Sequence, residues 1–217
     1  MTVPLTQWYD RVAAGLRLCP NPLIKKELID VLRFFCKETC LWYEQLEDID
    51  TVAEQASYAL TSSNGDVASI RRAELSGVRL DPTSETVLDR ESTDWRTKIG
   101  AVDSYFMGAD RNIRLVYKPV DAVTDGLAVW VNLMPLLTAT EVEDFIFNDY
   151  RDIITLGTRA RLLAHPDRPW SAPAAAMAYE EKFMAQVDEV KRDANQLYTP
   201  ATTRQTLRSR ASAAMFF

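Results

Sequence analysis

Hydrophobic residues recur every three or four positions in two long C-terminal segments, and this spacing predicts two helices. The first begins at Thr140, whose T-x-x-E spacing to Glu143 predicts a capping box, and ends at His165 and Pro166, because proline lacks the next helical N–H. Its apolar face comprises Phe145, Ile146, Tyr150, Ile153, Ile154, Gly157, Ala160 and Leu163. Two of these residues are small, so another helix could approach closely. The second segment, Pro173 to Leu197, has the spacing for antiparallel packing against the first.

The N-terminal part of the chain has the same helical periodicity. A short amphipathic helix is predicted from Leu5 to Leu18, weakened by Gly15. A longer helix is predicted from Leu23 to about Leu46, with Asn21 as its N-cap and Pro22 in the first helical position. The side chains predicted to be buried on it are Leu28, Val31, Leu32, Phe35, Thr39 and Trp42.

From Ile49 onward the pattern changes to the short, alternating runs that are typical of strands. The candidate strands are Ile49–Val52, Ser57–Leu60, Val67–Leu75, Val78–Leu80, Val102–Met107, Ile113–Tyr117 and Leu127–Leu133. Turns are predicted at Ser76–Gly77, Gly108–Asn112 and Thr124–Gly126. The polar stretch Asp81–Gly100 has no clear period, and we expect Trp95 to anchor it to the core. Strands flanked by helix pairs predict an α+β fold.

Charge divides the chain into two unequal parts. Residues 199–217 contain three arginines and no acid, whereas the other 198 residues carry a net charge of −9. An acidic body argues against affinity for nucleic acid. The terminal segment ends in aromatic residues and is predicted to be an extended tail that docks onto an acidic protein surface. The predicted docking residues are Arg204, Arg208, Arg210, Met215, Phe216 and Phe217.

No catalytic, cofactor or metal site is predicted. The only histidine, His165, lies at a predicted helix end, where it could cap helical carbonyls. Cys36 and Cys40 are four residues apart on one predicted helix, but two ligands are too few for a zinc site. Three cysteines cannot all pair within one chain, so reduced thiols of a cytosolic protein are expected. No glycine-rich phosphate loop is present, and no apolar run approaches the roughly 20 residues of a membrane span. We expect Trp42, Trp95, Trp130 and Trp170 to be core residues.

Several segments, taken in order, resemble tailed-phage head-to-tail adaptor (neck connector) proteins over about residues 20–190. They are "RFFCKETCLWYEQLEDIDTVAEQASYAL", "IRRAELSGVRLDP", "IRLVYKPV", "LAVWVNLMP" and "IITLGTRARLLAHPDRPWSAPAAAMAYEEKF". The resemblance implies a helical bundle with an inserted β module. We therefore expect the N-terminal helices to pack with the C-terminal helical hairpin in one domain, residues 1–48 and 135–198. Residues 49–134 would form the antiparallel β module, and 199–217 the extended tail.

The resemblance also implies a function. Such proteins are structural, non-enzymatic virion components that form a homo-oligomeric ring of about twelve copies in the neck between head and tail. The ring joins the portal protein to the next tail component, a nozzle or tail tube, and lets double-stranded DNA pass without sequence-specific binding. Assembly would occur in the host cytoplasm, without a membrane partner. The C-terminal tail would dock onto the portal.

Three alternatives remain open at this point. A tail-tube terminator or tail completion protein would differ only in where the ring sits. A cytosolic regulatory module would be a small oligomer with a host partner. A small hydrolase would use an acid/base pair from the acidic cluster between Glu44 and Asp50. The members of this cluster are Glu44, Glu47, Asp48 and Asp50.

Overall fold

The computed structural model describes residues 1–16, 18–91 and 94–198. The helices are a 3-10 helix (Leu5–Trp8), α1 (Tyr9–Ala13), α2 (Asn21–Thr39), α3 (Glu85–Glu91), α4 (Asp144–Ala164) and α5 (Pro173–Tyr198). The strands are β1 (Thr2–Pro4), β2 (Tyr43–Gln45), β3 (Ile49–Thr51), β4 (Ser57–Tyr58), β5 (Asp66–Leu75), β6 (Val78–Arg79), β7 (Asp81–Pro82), β8 (Ser104–Met107), β9 (Ile113–Leu115), β10 (Val123–Met134) and β11 (Glu141–Glu143). Helices and largely antiparallel sheets confirm the α+β class.

Strand β10 is the centre of the largest sheet. It pairs antiparallel with β5 on one side and with β2 and β3 on the other, and β6 extends the sheet beyond β5. A four-stranded sheet follows the order β4-β9-β8-β7, with β7 and β8 parallel, and β1 pairs with β11. Residues buried on β10 include Leu127, Val129, Val131 and Leu133, so its alternate positions face the core.

The two long C-terminal helices pack against each other, and α2 packs against both. At Gly157 on α4 the two helices pack so closely that an added Cβ would lie 2.8 Å from the ring of Phe183 on α5. The absence of a side chain at Gly157 therefore admits the aromatic ring. The rings of Phe35 on α2 and Tyr150 on α4 lie 5.1 Å apart, and Phe34 lies 5.9 Å from Phe183. The predicted close approach of another helix is confirmed at Gly157.

The predicted capping box at the start of α4 is wrong. The helix begins at Asp144, and Glu143, its N-cap residue, makes no capping hydrogen bond through its side chain. The preceding residues form β11, in which Val142 pairs with Val3 of β1. Because the partner strand lies at the N-terminus, a local pattern could not indicate this pairing. The helix ends at Ala164, immediately before His165 and Pro166 as predicted.

The N-terminal helices are shorter than predicted. The described residues of the range 5–18 form the 3-10 helix and α1 as their only helices. The prediction of Asn21 as the N-cap of α2 is wrong, because Asn21 is already helical and Pro20 is the N-cap residue. The predicted continuation to Leu46 is wrong, because α2 ends at Thr39 and Cys40 has a left-handed φ of 52°. The following residues pair with β10 instead. The six side chains predicted to be buried in this segment are all buried.

The β region follows the predicted strands with two differences. The turn at Ser76 and Gly77 is confirmed, with φ values of 50° and 78° that favour glycine at the second position. The predicted turn Thr124–Gly126 instead lies within β10. These residues fall at a register shift between β10 and β3, so they form an irregularity in the strand and no turn. The unassigned stretch Asp81–Gly100 contains α3 and a short strand.

Most buried side chains belong to one core that joins α1, α2, α4 and α5 to the two larger sheets. Trp42, Trp95 and Trp170 are buried as predicted. The prediction for Trp130 is wrong: this ring is only half-buried, and the Arg72 guanidinium lies 5.0 Å from its centroid. Because the core is continuous, the division into a bundle domain and an inserted module stays a prediction.

Candidate interaction surface

Helix α5 is the last described element, and it leads into the predicted docking tail. The six residues predicted to dock lie outside the described residues, so their role stays a prediction. Up to Ala194, the buried side chains of α5 lie on one face, which includes Phe183 and Val187. Met177 and Met184 each follow a buried residue, so these two large apolar side chains lie at the margin of that face, where they are exposed. Helix α5 therefore has exposed apolar surface beside its buried face.

The acidic cluster is brought together on one side of the large sheet. Glu44, Glu47 and Asp48 line a groove of about 600 Å³ between the β2–β3 segment and residues 59–64. The Asn64 amide donates a 2.6 Å hydrogen bond to Glu44, while Asp50 instead accepts one of 2.8 Å from the Asp125 backbone N–H. Among the described residues, none of the four predicted carboxylates has a lysine or arginine within ion-pair distance. The groove is thus a site of uncompensated negative charge.

The residues considered for metal or thiol chemistry are dispersed. Cys36 is fully buried, and burial, with a smaller contribution from Cys40, raises the pKa of its thiol to about 12. His165 does not cap α4 through its ring; its Nε2 lies 3.2 Å from Oε1 of Glu27 on α2. Across the described ranges, no three histidine, cysteine or acidic residues form a group that could hold a metal ion. None of the described helices is long and apolar enough to cross a bilayer.

A small apolar surface follows β10 and was missed in the sequence. Leu137 is 65% exposed and lines a shallow groove with Pro22, Lys25 and Ile29 at the start of α2. Nearby, Arg33 donates hydrogen bonds to Asp66 and to the Pro135 carbonyl, which fixes the chain leaving β10. The run of apolar residues after Pro135 was the available signal.

A basic pocket on the large sheet was also missed. It has a volume of about 380 Å³ and lies where β5 and β6 approach the end of α2 and Ala194 of α5. Its cationic side chains are Arg71, Arg72 and Arg79. The Arg71 guanidinium lies 4.0 Å from the Tyr43 ring centroid, and Arg72 pairs with Glu74. The only signal for this pocket in the sequence was the pair of adjacent arginines, Arg71 and Arg72. Successive side chains of a regular strand point to opposite faces, so this pair did not predict a shared pocket.

Comparisons with known proteins identify one family. The family model described as SU10 adaptor protein matches residues 10–206, which is most of the chain. A search of curated proteins gives no match. The family is one of phage head-to-tail adaptors, in agreement with the resemblance seen in the sequence.

Proposed function

Because the chain belongs to the SU10 adaptor protein family, whose members are structural phage components, we propose that it forms a ring that joins the portal to the tail. Family membership is the observation that carries this proposal. In the assembled neck, the ring would line part of the channel that retains packaged DNA and releases it during ejection. The described helices would form the body of each subunit, and residues 199–217 would reach the portal.

The distribution of charge supports this arrangement. The 198 residues before the tail carry a net charge of −9, so the body as a whole repels the phosphate backbone and does not retain passing DNA. The basic tail continues directly from α5, whose outer face is exposed. A cationic and aromatic segment can supply both charge complementarity and buried apolar contacts to an acidic cleft.

The test is mass photometry of the full chain mixed with the portal protein from the same genome. A discrete complex of one portal ring with about a dozen copies is expected. No association, with the chain remaining a monomer or small oligomer, would contradict the proposal. Ring formation on the tail tube but not on the portal would instead support a tail-tube terminator.

The docking tail is tested by removing residues 199–217. We expect this variant to lose portal binding while its far-UV circular dichroism and thermal unfolding remain those of the full chain. A matched control replaces the tail with a Gly/Ser segment of equal length, which keeps the chain length but removes arginines and aromatics. Undiminished portal binding by either variant would refute the role of Arg204, Arg208, Arg210, Met215, Phe216 and Phe217.

A further inference from the structure

The two edges of the large sheet carry opposite charge. On one edge, β2 and β3 flank the Leu46–Asp48 connection, where the exposed Glu47 and Asp48 line the acidic groove. On the other edge, β6 carries the exposed Arg79, which lines the basic pocket. Among the described residues, Glu47, Asp48 and Arg79 take part in no ion pair. Each edge therefore has charge available for a partner.

The basic pocket also contains an unpaired buried acceptor. Asn132 is only 4% exposed, and its Nδ2 donates a 2.8 Å hydrogen bond to Ser69 Oγ. Its Oδ1 has no hydrogen-bond partner within the part of the chain that the structure describes. A buried amide oxygen without a donor is unfavourable, and native proteins usually satisfy such a group. The pocket thus favours a ligand that brings an N–H or O–H donor as well as negative charge.

These two requirements distinguish between classes of ligand. Arginines in the pocket can bind either a carboxylate or a phosphate. The phosphodiester backbone of DNA offers acceptors but no donor for the Asn132 oxygen, whereas a peptide segment has backbone N–H groups beside its side-chain carboxylates. The pocket therefore fits an acidic peptide better than it fits passing DNA.

The chain itself contains such a segment. Glu47 and Asp48 are consecutive, exposed and outside the flanking strands, and their backbone N–H groups make no hydrogen bond within the described residues. Within one copy, this segment and Arg79 lie on opposite edges of the sheet. A contact between them can therefore join two copies head to tail, which is the geometry that closes into a ring.

We propose that the basic pocket of one copy receives the Leu46–Asp48 segment of the adjacent copy. Carboxylates of Glu47 and Asp48 would pair with the pocket arginines, and a backbone N–H of the segment would donate to Asn132. The proposal rests on the ring function and identifies the surfaces by which neighbouring copies in that ring recognise each other. It predicts that the contact is polar, directional and sensitive to salt.

Charge reversal at each edge tests the contact. The variants are Arg79→Glu in the pocket and Asp48→Arg in the acidic segment, with Arg90→Glu and Asp121→Arg as exposed controls elsewhere. Each edge variant alone is expected to reduce the number of portal-bound copies at least tenfold, while the controls leave it unchanged. Sedimentation equilibrium of the chain alone at high concentration measures self-association without the portal, and thermal unfolding checks each fold.

An equimolar mixture of the two edge variants gives the sharpest readout. Identical neighbours would repel, because each variant presents like charges at both surfaces of the contact. Unlike neighbours, however, can alternate: Glu at 79 meets Arg at 48, and the native Arg79 meets the native Asp48. We therefore expect the mixture to restore assembly, as should the double variant Arg79→Glu/Asp48→Arg.

The outcomes separate this inference from the proposed function. The wild-type chain could fail to join the portal and yet self-associate, with self-association lost in each edge variant and restored in their mixture. That result would refute the adaptor function and retain the contact. Wild-type assembly that is unaffected by either reversal, or is not restored in the mixture, would overturn the contact and retain the adaptor. A wild-type chain that neither self-associates nor forms a ring overturns it as well. Loss of double-stranded DNA binding in Arg79→Glu, with normal copy-to-copy association, would assign the pocket to nucleic acid instead.

Discussion

The main core and the small cluster beneath α3 show two ways of holding a sheet in place. The main core contains most of the buried side chains and joins α2, α4 and α5 to both larger sheets. The small cluster has four buried members on the other face of the four-stranded sheet. These are Leu88, Trp95, Phe106 and Val116. Strand β8 contributes to both, since Tyr105 lies in the main core and its neighbour Phe106 in the small cluster.

This difference in size implies a difference in local stability. The small cluster depends on one edge-to-face contact, with the rings of Trp95 and Phe106 5.6 Å apart, and on a polar group at its surface. In that group Asp89 accepts hydrogen bonds from the Trp95 indole and from Arg96. With so few buried contacts, the α3 region should open in local fluctuations that leave the main core intact. The main core should open only on global unfolding.

The largest expected effect is at the contact between α4 and α5. Phe183→Ala should lower the free energy of unfolding by about 3–5 kcal/mol, because it leaves a cavity against Gly157. Gly157→Ala should lower it by about 1–3 kcal/mol, since the new methyl group collides with the same ring. The double variant should lose less than the sum, because the methyl group enters the space that the ring leaves. Chemical denaturation measures all three.

Thiol labelling shows whether this loss is global. The buried Cys36 thiol, with its pKa raised to about 12, should react only when the main core unfolds. Its labelling rate should therefore rise in parallel with the destabilisation by Phe183→Ala, in a background where Cys19 and Cys40 are replaced by serine. Two results would contradict a single main core. One is a loss of unfolding free energy in the double variant that equals the sum of the two single losses, and the other is a Cys36 labelling rate that does not change with stability.

A smaller and local effect is expected from Trp95→Ala. Removing this ring empties the small cluster, so hydrogen exchange should accelerate at least tenfold in α3 and around Val116. Exchange in α2 and α4, and Cys36 labelling, should change less than twofold. The matched control Trp130→Ala removes a half-buried ring and should leave α3 exchange unchanged. Equal acceleration throughout the chain would show that the two clusters unfold as one unit.

Segments whose structure is decided by their own periodicity could be predicted from the sequence. The α4–α5 hairpin and the buried face of α2 follow from 3.6-residue spacing, and the turn at Gly77 from local conformational preference. The basic pocket needed tertiary information, because Arg71 is the extra residue at a register shift between β5 and β10. Nothing local predicts that it shares a pocket with Arg72 and Asn132.

The predicted helix boundaries are wrong where pairing with a strand distant in the sequence overrides the local preference for helix. Leu41, Trp42 and Leu46 continue the helical spacing of α2, but Tyr43 pairs with Asn132 of β10 and the helix stops. The start of α4 is displaced in the same way by pairing with the N-terminus. By contrast, α3 had an unused local signal: Ser84 precedes Glu85 and accepts a hydrogen bond from the Val87 N–H, as an N-cap residue does.

The smallest expected effect is a pH dependence confined to the α3 region. Hydrogen bonds from Arg96 and Trp95 hold the pKa of Asp89 below its usual value of 3.8. A carboxyl with a lowered folded pKa adds stability that is present above the unfolded pKa and is lost as pH falls through the folded pKa. Acidification below 3.8 should therefore accelerate exchange in α3 more than in α2.

The variant Asp89→Asn isolates this contribution. It should already show fast α3 exchange near neutral pH, because it loses the charged pairing with Arg96, and should show little further change that is specific to α3 on acidification. Asp121→Asn, an exposed acid outside the cluster, is the control and should keep the wild-type pH profile. If Asp89→Asn retained that profile, protonation elsewhere would open the small cluster, and its polar surface group would be dispensable. Loss of the profile together with unchanged α2 exchange would place the acid sensitivity in the small cluster and outside the main core.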